Sequence, residues 1–438
     1  MNFLLFLLPI YCTITKSGAE PKLCAEYEYL PLTDKAKFSC DSKTVKKIWD
    51  MCVYTFHLNS REAYLDGIKR DRWVWAGDAY QSFLINRCLY DDKSIIRRTI
   101  ISLLGYPPYT QHINGINDYS MLLILSVYEY YITSLDAAFI KNIWSKVKAL
   151  YQFIVSRLRS DGYMIKLPDD WVFIDWADFD KTGAFCPEQI LLWQVYRAMA
   201  QLCLVMEEAD VYTACAEQLR QNIMRDYWRE EKGAFVDSFE SGKEHISRHA
   251  NIFAVIYGFA EAEKADMIAK NVLYNDKIAP ITTPYFKLYE LIAFCKLGDI
   301  ERAQTYIEDY WGGMLSLGAT TAWEAFDSTQ QGEKHLEMYG GKFEKSLCHA
   351  WGSGPIYLLM RYVAGVQITE PGGRRFEVSP NRGKYQYFCA TVPMRDGEVT
   401  VEYKNGCYKI CATVDGGTAI VGNKRCKLIA NEAVELQE

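Results

Sequence analysis

The feature that most constrains the fold of this 438-residue chain is a long succession of amphipathic helical segments. From residue 44 to residue 363, apolar residues recur at steps of three and four, which places them on one face of an α-helix. In the first segment, residues 44–57, this face holds Val45, Ile48, Trp49 and Cys52. Similar faces predict helices over residues 79–89, 94–104, 119–133, 135–158, 188–206, 210–227, 250–269, 285–297, 300–310 and 354–363.

About a dozen helices with short polar connections are typical of helical hairpins that close into a ring around a central funnel, a helical toroid. The alternative is a superhelical repeat array, although no fixed-period repeat is visible in the sequence. After residue 365 the pattern changes to short alternating or β-rich runs separated by turn-forming clusters such as Lys-Asn-Gly and Asp-Gly-Gly. These runs predict a small antiparallel β domain with strands at residues 367–378, 386–393, 398–403, 407–414 and 427–434. Before the helices, one strand-like piece spans residues 26–32.

Composition and charge exclude several classes of protein. Half of the residues are hydrophobic and 24% are charged, which is typical of a packed globular protein and not of a disordered one. The net charge is −6, and no basic face points to a nucleic-acid partner. Fourteen cysteines form no CxxC pair, and His245 and His249 lack the glutamate of an HExxH motif. No phosphate-binding loop is present, so we expect neither a metal ion nor a cofactor.

The N-terminus carries a possible export signal. An apolar run over residues 3–12 is followed by the small residues Ser17, Gly18 and Ala19, which predicts a signal peptide over residues 1–19. Its positively charged n-region is missing, so a periplasmic or secreted protein is predicted with a cytoplasmic one as the alternative. No later run reaches 18 apolar residues, so we expect no integral membrane span.

Four loops between the predicted helices combine carboxylates with tryptophan: residues 66–78, 169–178, 318–327 and 346–354. The first holds three carboxylates, three basic residues and two tryptophans within 13 positions. Each loop alone also fits a structural role, such as a salt-bridged surface loop, and a lone His349 fits a buried structural histidine. Together they favour a binding site, because loops concentrate function and surfaces rarely carry so many tryptophans.

The chemistry of these side chains points to carbohydrate. Tryptophan and tyrosine rings stack on the apolar faces of sugars, while Asp, Arg and His bind hydroxyl groups through charge-assisted hydrogen bonds. Two carboxyl groups on either side of a glycosidic bond make a glycosidase, and an inverting enzyme separates them by ~6.5–9.5 Å to admit water. The carboxyl group that acts as acid must be kept protonated by burial or by neighbouring carboxylates.

At these loops the chain resembles the bacterial α-L-rhamnosidases of glycoside hydrolase family 78, the six-hairpin glycosidases. The resemblance runs from about residue 38 to residue 393 and rests on DGIKRDRWVWAGDAYQS, PDDWVFIDWADF, YWGGMLSLGATTAWE and KSLCHAWGSGPIYLL. It implies a mainly α fold, with an (α/α)6 barrel over residues 41–364 and a C-terminal antiparallel β-sandwich over residues 365–438. Residues 20–40 are then an N-terminal linker or strand. Family members usually carry β-sandwich domains before the barrel, so the chain is expected to be a minimal or truncated form.

The resemblance also implies residue roles. Asp71 falls at the position of the general acid, which is often Glu in the family, so the reach of its shorter side chain is in question. Glu324, in TTAWE, falls at the position of the general base that activates water. The family pattern assigns contacts with the sugar to Asp66, Arg70, Trp75, Asp78, Tyr119, Trp171 and His349.

The predicted function is therefore an inverting exo-glycosidase that removes terminal α-L-rhamnose from plant-type glycans or glycosides. Its partner is then a rhamnose-containing oligo- or polysaccharide. One alternative is a non-catalytic sugar-binding paralogue, favoured by the Asp at position 71 and the missing upstream domains. Another is a different carbohydrate reaction on the same barrel, such as hydrolysis or elimination at a uronate, because fold does not fix function. The aglycone, the linkage and the oligomeric state leave no signal in the sequence.

Overall fold

The computed structural model describes residues 10–12, 23–25, 29–69 and 71–438. Two short strands, β1 (Ile10–Cys12) and β2 (Leu23–Ala25), pair antiparallel at the N-terminus. The rest of the predicted signal peptide, residues 1–9 and 13–19, lies outside the described residues, so export stays a prediction. Among the described residues, no helix is both long and apolar enough to cross a bilayer.

The described residues form twelve α-helices, which follow one another in six hairpins. In chain order they are α1 (Lys43–Asn59), α2 (Ala76–Leu89), α3 (Lys93–Leu104), α4 (Asn117–Ser134), α5 (Ala137–Ser156), α6 (Cys186–Val205), α7 (Tyr212–Tyr227), α8 (Arg248–Ile256), α9 (Ala262–Ile268), α10 (Pro284–Lys296), α11 (Ile300–Ser316) and α12 (Pro355–Leu358). A π-helical turn extends α9 over Ala269–Leu273, and another extends α12 over Leu359–Val363.

The even-numbered helices form an inner ring and the odd-numbered helices surround it. Each inner helix contacts the next, from α2 through α4, α6, α8 and α10 to α12, and α12 contacts α2. The ring is therefore closed, which confirms the helical toroid and excludes an open repeat array. The long inner helices α2, α4, α6 and α10 are buried on nearly every side, whereas outer helices such as α1 and α11 bury one face, as amphipathic helices do.

Polar residues fix where several outer helices begin. The side chains of Ser42, Asp92, Asp136 and Asp299 accept backbone N–H groups from the first turns of α1, α3, α5 and α11. Each cap of this kind contributes about 1 kcal/mol to helix stability. The predicted single helix over residues 250–269 is wrong, because the chain breaks at Gly258 with φ +66° and resumes as α9.

A β domain packs against the barrel. After the short hairpin β4 (Trp228–Arg229) and β5 (Ala234–Phe235), the C-terminal strands are β6 (Val366–Ile368), β7 (Phe376–Val378), β8 (Tyr387–Met394), β9 (Gly397–Lys404), β10 (Cys407–Ala412), β11 (Gly417–Val421), β12 (Lys424–Lys427) and β13 (Ala433–Gln437). One sheet has the order β13-β10-β9-β8-β3, in which β3 is Lys37–Cys40. The other has the order β12-β11-β7-β6 and contains one parallel pair, β7 with β11. The two sheets are the predicted C-terminal β-sandwich region, although one pair departs from the antiparallel pattern.

The N-terminal strand differs most from the sequence prediction. It lies at Lys37–Cys40. Of the predicted strand 26–32, residues 29–32 are irregular, and residues 26–28 lie outside the described residues. It pairs antiparallel with β8, with Phe38 opposite Ala390, and the Phe38 ring lies 5.8 Å from that of Trp49 on α1. This strand therefore joins the β domain to the barrel.

The C-terminal strand predictions are partly wrong. The predicted strand 367–378 is broken by a turn at Pro371–Gly373, and the predicted strand 427–434 spans the turn between β12 and β13. The pattern also missed β11 and most of β12, since they are short and joined by a tight turn at Gly422 with φ +56°.

The barrel brings together the four loops that are rich in carboxylates and tryptophan. Every inner helix follows an outer helix that runs the opposite way, so the N-termini of the inner helices meet at one end of the ring. The loops that precede α2, α4, α6 and α12 therefore surround a single opening. The positive ends of these helix dipoles favour negatively charged groups there.

Candidate functional site

A cavity of about 310 Å³ opens at this end of the barrel. This volume lies at the lower end of the range of small-ligand pockets, roughly 300–1,000 Å³. Its walls combine carboxylates with aromatic rings and consist of Asp66, Asp71, Trp75, Asp78, Ile116, Tyr119, Trp171, Phe173, Trp176, Glu324, Tyr339, Glu344, His349 and Trp351.

The loop before α2 is fixed at both ends. The Asp66 N–H donates to the Trp73 carbonyl at 3.1 Å, and the Trp73 N–H donates to Asp66 Oδ1 at 2.9 Å. The Ala350 N–H donates to the Asp66 carbonyl at 2.6 Å, which attaches this loop to the segment before α12. Gly67 and His349 form a β-bridge next to this contact. Two sequence-distant loops thus make one wall.

A buried carboxylate–imidazole pair lies at the base of the cavity. His349 Nε2 and Asp78 Oδ1 are 3.2 Å apart, and both side chains are buried. Burial alone lowers the pKa of His349, but the hydrogen bond with Asp78 and the negative charge of Glu324 outweigh it, so the pKa is raised. Burial raises the pKa of Asp78 and raises that of Asp66 to about 6. The cavity therefore holds a cationic or readily protonated imidazole among several carboxyl groups.

Glu324 is buried, and both of its carboxylate oxygens are held. The Tyr339 hydroxyl donates to Oε1 at 2.7 Å, and the Ser346 N–H donates to Oε2 at 2.8 Å. The Trp351 indole N–H donates to the Glu324 carbonyl at 3.0 Å. A carboxylate oriented in this way suits a general base, because its lone pairs point in fixed directions.

Asp71 lines the same cavity from its rim and is exposed, in contrast to Glu324. Its neighbour Arg72 has φ +48°, so the chain bends sharply after Asp71. The two carboxyl groups that the sequence singled out thus face one cavity from different loops, one before α2 and the other between α11 and α12.

Aromatic side chains build another wall of the cavity. The Trp171 and Trp176 ring centroids lie 5.7 Å apart, and Trp176 lies 5.2 Å from Tyr339. Each of these three side chains is between 37% and 49% exposed, so part of each ring is open to a ligand. Partly exposed rings in a cavity are suited to stacking on a sugar.

A fully buried carboxyl group holds this aromatic wall. Asp118, in the first turn of α4, accepts the Phe173 N–H at 3.0 Å and the Ile174 N–H at 3.2 Å. Ile174 has φ +57°, a conformation that a β-branched residue adopts only when its surroundings enforce it. Burial raises the pKa of Asp118 to about 6, although the two N–H groups act in the opposite direction. No role was predicted for Asp118 from the sequence.

The close approach of α2 and α4 depends on a glycine. A Cβ atom at Gly77 would lie 2.5 Å from Cε1 of Tyr119 and 2.9 Å from the Tyr285 hydroxyl oxygen. Tyr119 in turn packs edge-on against Trp75, with ring centroids 6.2 Å apart. Gly77 therefore lets Tyr119 reach the cavity.

Eight of the nine predicted site residues line this cavity: Asp66, Asp71, Trp75, Asp78, Tyr119, Trp171, Glu324 and His349. Arg70 lies outside the described residues, so its predicted role is untested. The sequence prediction did not include six other lining residues: Ile116, Phe173, Trp176, Tyr339, Glu344 and Trp351. Phe173, Trp176 and Trp351 stand inside the loops it singled out, whereas Tyr339 and Glu344 come from a segment without a recognisable pattern.

His245 and His249 each contact a different carboxylate. His245 Nδ1 lies 2.7 Å from Asp237, and His249 Nε2 lies 2.9 Å from Asp175. In the described part of the chain, no three His, Cys, Asp or Glu side chains are grouped closely enough to hold a metal ion.

Comparison with known families identifies the chain. Residues 33–279 match the family described as the bacterial α-L-rhamnosidase six-hairpin glycosidase domain. The chain belongs to this family. That finding confirms the family resemblance seen in the sequence. No curated protein matches the chain.

Solved structures share the fold. The family 78 rhamnosidase of Bacillus sp. GL1 superposes with a TM-score of 0.79 at 21% identity, over 92% of this chain and 44% of that one. The rhamnosidase from Klebsiella oxytoca, solved with rhamnose bound, gives 0.63 at 23% identity, over 74% and 65%. The α-L-rhamnosidase from Aspergillus terreus gives 0.76 at 15% identity, over 95% and 51%. The chain thus spans only part of each of these proteins, about half of the Bacillus and Aspergillus ones.

Proposed function

We propose that this protein is an exo-acting glycosidase that hydrolyses terminal α-L-rhamnosides with inversion at the anomeric carbon. The observation that carries the proposal is the convergence of Asp71 and Glu324 on one cavity from separate loops. The family, described as a bacterial α-L-rhamnosidase domain, and two structurally similar rhamnosidases solved with rhamnose bound support rhamnose as the sugar.

Asp71 and Glu324 have different roles in the reaction. Asp71, at the rim, protonates the glycosidic oxygen as the bond from that oxygen to C1 of the sugar breaks. Glu324 takes a proton from a water molecule, whose oxygen forms the new bond to C1 from the opposite face. The Tyr339 hydroxyl and the Ser346 N–H fix the direction of the Glu324 carboxylate. The products are rhamnose of inverted configuration and the free hydroxyl of the leaving group.

The remaining groups bind the sugar. Asp66, Asp78 and His349 present charged hydrogen-bonding atoms at the base of the cavity, where hydroxyl groups of the ring would lie. Trp171 and Trp176 offer partly open ring faces at its side. Water exclusion by these rings strengthens each charge-assisted hydrogen bond.

Hydrolysis of p-nitrophenyl α-L-rhamnopyranoside, beside a panel of other p-nitrophenyl glycosides, tests the proposal. We expect release only from the rhamnoside, with the β-anomer of rhamnose as the first product in proton NMR. Glu324→Gln should lower kcat by about 10³-fold or more while rhamnose still binds, and the exposed neighbour Glu337→Gln should keep wild-type activity. Normal turnover in Glu324→Gln would refute the base assignment, and an α-anomer would refute inversion.

A second candidate is a sugar-binding protein without turnover. The observation that favours it is the short Asp71 side chain at an exposed position of the rim, where the family often has Glu. Rhamnose binding by calorimetry, together with no release from any rhamnoside, would select this candidate. Extension of the side chain by Asp71→Glu would then be expected to restore turnover.

A further inference from the structure

A second cavity lies beside the first and shares one wall with it. Its volume is about 510 Å³. The shared wall is the segment 71–75, in which Asp71 and Trp75 line the first cavity while Arg72, Trp73 and Val74 line the second. Residues from the C-terminal end of α3 and from the segment between α3 and α4, within 102–114, form the other side.

The shared wall is built into the fold. Asn114 Oδ1 accepts the Ala76 N–H at 3.0 Å, and Asn114 Nδ2 donates to the Val74 carbonyl at 3.1 Å. Asn114 has φ +55° and itself lines the second cavity. The Asn114 side chain thus attaches the loop that carries Asp71 to the segment before α4, which lines the second cavity.

The second cavity presents aromatic faces to solvent. Trp73 is 59% exposed and Tyr106 is 87% exposed, and both line it. Nζ of Lys146 lies 4.1 Å from the centroid of the Tyr106 ring and donates to the Gly105 carbonyl at 2.6 Å. Large rings left this open in a cavity are platforms for a flat or ring-shaped ligand.

The charge of the second cavity is opposite to that of the first. Among its described lining residues Arg72 carries a positive charge, and none is a carboxylate. His112 is buried there, its Nε2 has no hydrogen-bond partner among the described residues, and burial lowers its pKa to about 4, so it is neutral near pH 7. No carboxylate of the described residues forms an ion pair with Arg72. The first cavity, in contrast, holds Asp66, Asp71, Asp78 and Glu324.

We infer that the second cavity binds the leaving group, and that it takes a sugar ring that carries a carboxylate. The inference rests on the proposed function, in which Asp71 protonates the leaving oxygen, because the leaving group then lies on the Asp71 side of the bond. Arg72, the residue that follows Asp71, lines the second cavity. Trp73 and Tyr106 stack on the second ring, and the Arg72 guanidinium pairs with its carboxylate, in bidentate geometry where the ring allows it.

Two matched disaccharides test the inference: α-L-rhamnosyl-glucuronate and α-L-rhamnosyl-glucose with the same linkage. We expect kcat/KM for the glucuronate compound to exceed that for the glucose compound by about tenfold at low salt, and by less at high salt. Arg72→Asn, chosen because asparagine tolerates a positive φ, should bring this ratio to within about twofold of one. Arg72→Lys should keep a preference for the glucuronate compound.

Two further variants test whether the change in the kcat/KM ratio is specific to the charge of Arg72. Arg375→Asn removes an exposed positive charge from the β domain and should leave the ratio at its wild-type value. Tyr106→Ala should lower kcat/KM for both disaccharides by similar factors and leave their ratio unchanged, because stacking does not distinguish the two compounds.

The outcomes distinguish this inference from the proposed function. A wild-type ratio near one, or an unchanged ratio in Arg72→Asn, would overturn the inference while leaving the hydrolysis of rhamnosides intact. If neither disaccharide is cleaved while p-nitrophenyl α-L-rhamnopyranoside is, the proposed function stands and the inference is overturned. If none of the three compounds is cleaved, the proposed function fails, and calorimetry with the two disaccharides tests the inference. Tighter binding of the glucuronate compound by the wild type than by Arg72→Asn would support the inference, and equal binding would refute it.

Discussion

Replacing Asp118 by asparagine tests whether a buried carboxyl group holds the aromatic wall of the first cavity. Asp118 accepts two backbone N–H groups, from Phe173 and Ile174, and asparagine of the same shape accepts only one with its single carbonyl oxygen. The other N–H then faces the amide NH₂ group, which costs about 1–3 kcal/mol. Because the wall carries Trp171 and Trp176, we expect kcat/KM on the rhamnoside to fall by about tenfold.

The same substitution has a defined dependence on pH. Burial raises the pKa of Asp118 from 3.8 to about 6, so the folded protein holds this proton more tightly than the unfolded chain does. The stability contributed by the protonated group is fully present below about pH 4 and is lost as the pH rises through about 6. A shift of about two units is worth about 3 kcal/mol, and asparagine does not titrate. Because pH 4 lies close to the unfolded pKa of 3.8, the wild type should gain about 2.4 kcal/mol of this relative to Asp118→Asn between pH 7.5 and pH 4.

Urea unfolding of both proteins at pH 4 and pH 7.5 measures this difference. Asp276→Asn, which removes a carboxyl group at an exposed position, serves as the matched control. If the stability difference between the wild type and Asp118→Asn changes by less than about 1 kcal/mol between these pH values, the carboxyl group is not buried as described. Unchanged kcat/KM would refute its role in positioning the wall.

Two other substitutions give sharp expectations. Gly77→Ala places a methyl group 2.5 Å from a ring carbon of Tyr119, so we expect a loss of about 1–3 kcal/mol in thermal unfolding and weaker rhamnose binding in calorimetry. Full stability and full affinity would show that α2 and α4 separate at no cost. Tyr339→Phe removes the hydrogen bond to Glu324 Oε1 while keeping the ring, and should lower kcat by about tenfold with a smaller change in KM. A change confined to KM would make Tyr339 a stacking residue only.

The predicted and observed helix bounds agree best where the apolar periodicity of the sequence determines them without tertiary contacts. Outer helices such as α3 start at capping residues that the sequence displays. The prediction failed where a tertiary contact overrides a local signal. The pair Gly312-Gly313 favours a helix end near residue 310, yet α11 continues to Ser316. A Cβ at Gly313 would lie 2.6 Å from the ring of Phe326, so this glycine makes room for a neighbour and does not end the helix.

The same distinction applies to the site. The loops rich in carboxylate and tryptophan could be found from composition, and they supply most of the cavity. Asp118 was missed because α4 begins after Ile116, which has no capping side chain, so the predicted helix started two residues late. Tyr339 was missed because it reaches Glu324 only through the path of the chain between residues 328 and 345, which carries no periodic pattern.

The pairing of β3 with β8 makes the whole barrel an insertion within the β domain. Ser39 and Cys389 are partners although 350 positions separate them. During synthesis, β3 leaves the ribosome before the barrel helices, and its partner β8 follows only when most of the chain has been made. A C-terminal fragment that begins after residue 365 would lack β3. The edge of β8 would then be exposed and could pair with strands of other chains. The change in sequence pattern at that position marks a boundary in composition, but not a place where the molecule can be divided into two independently folding parts.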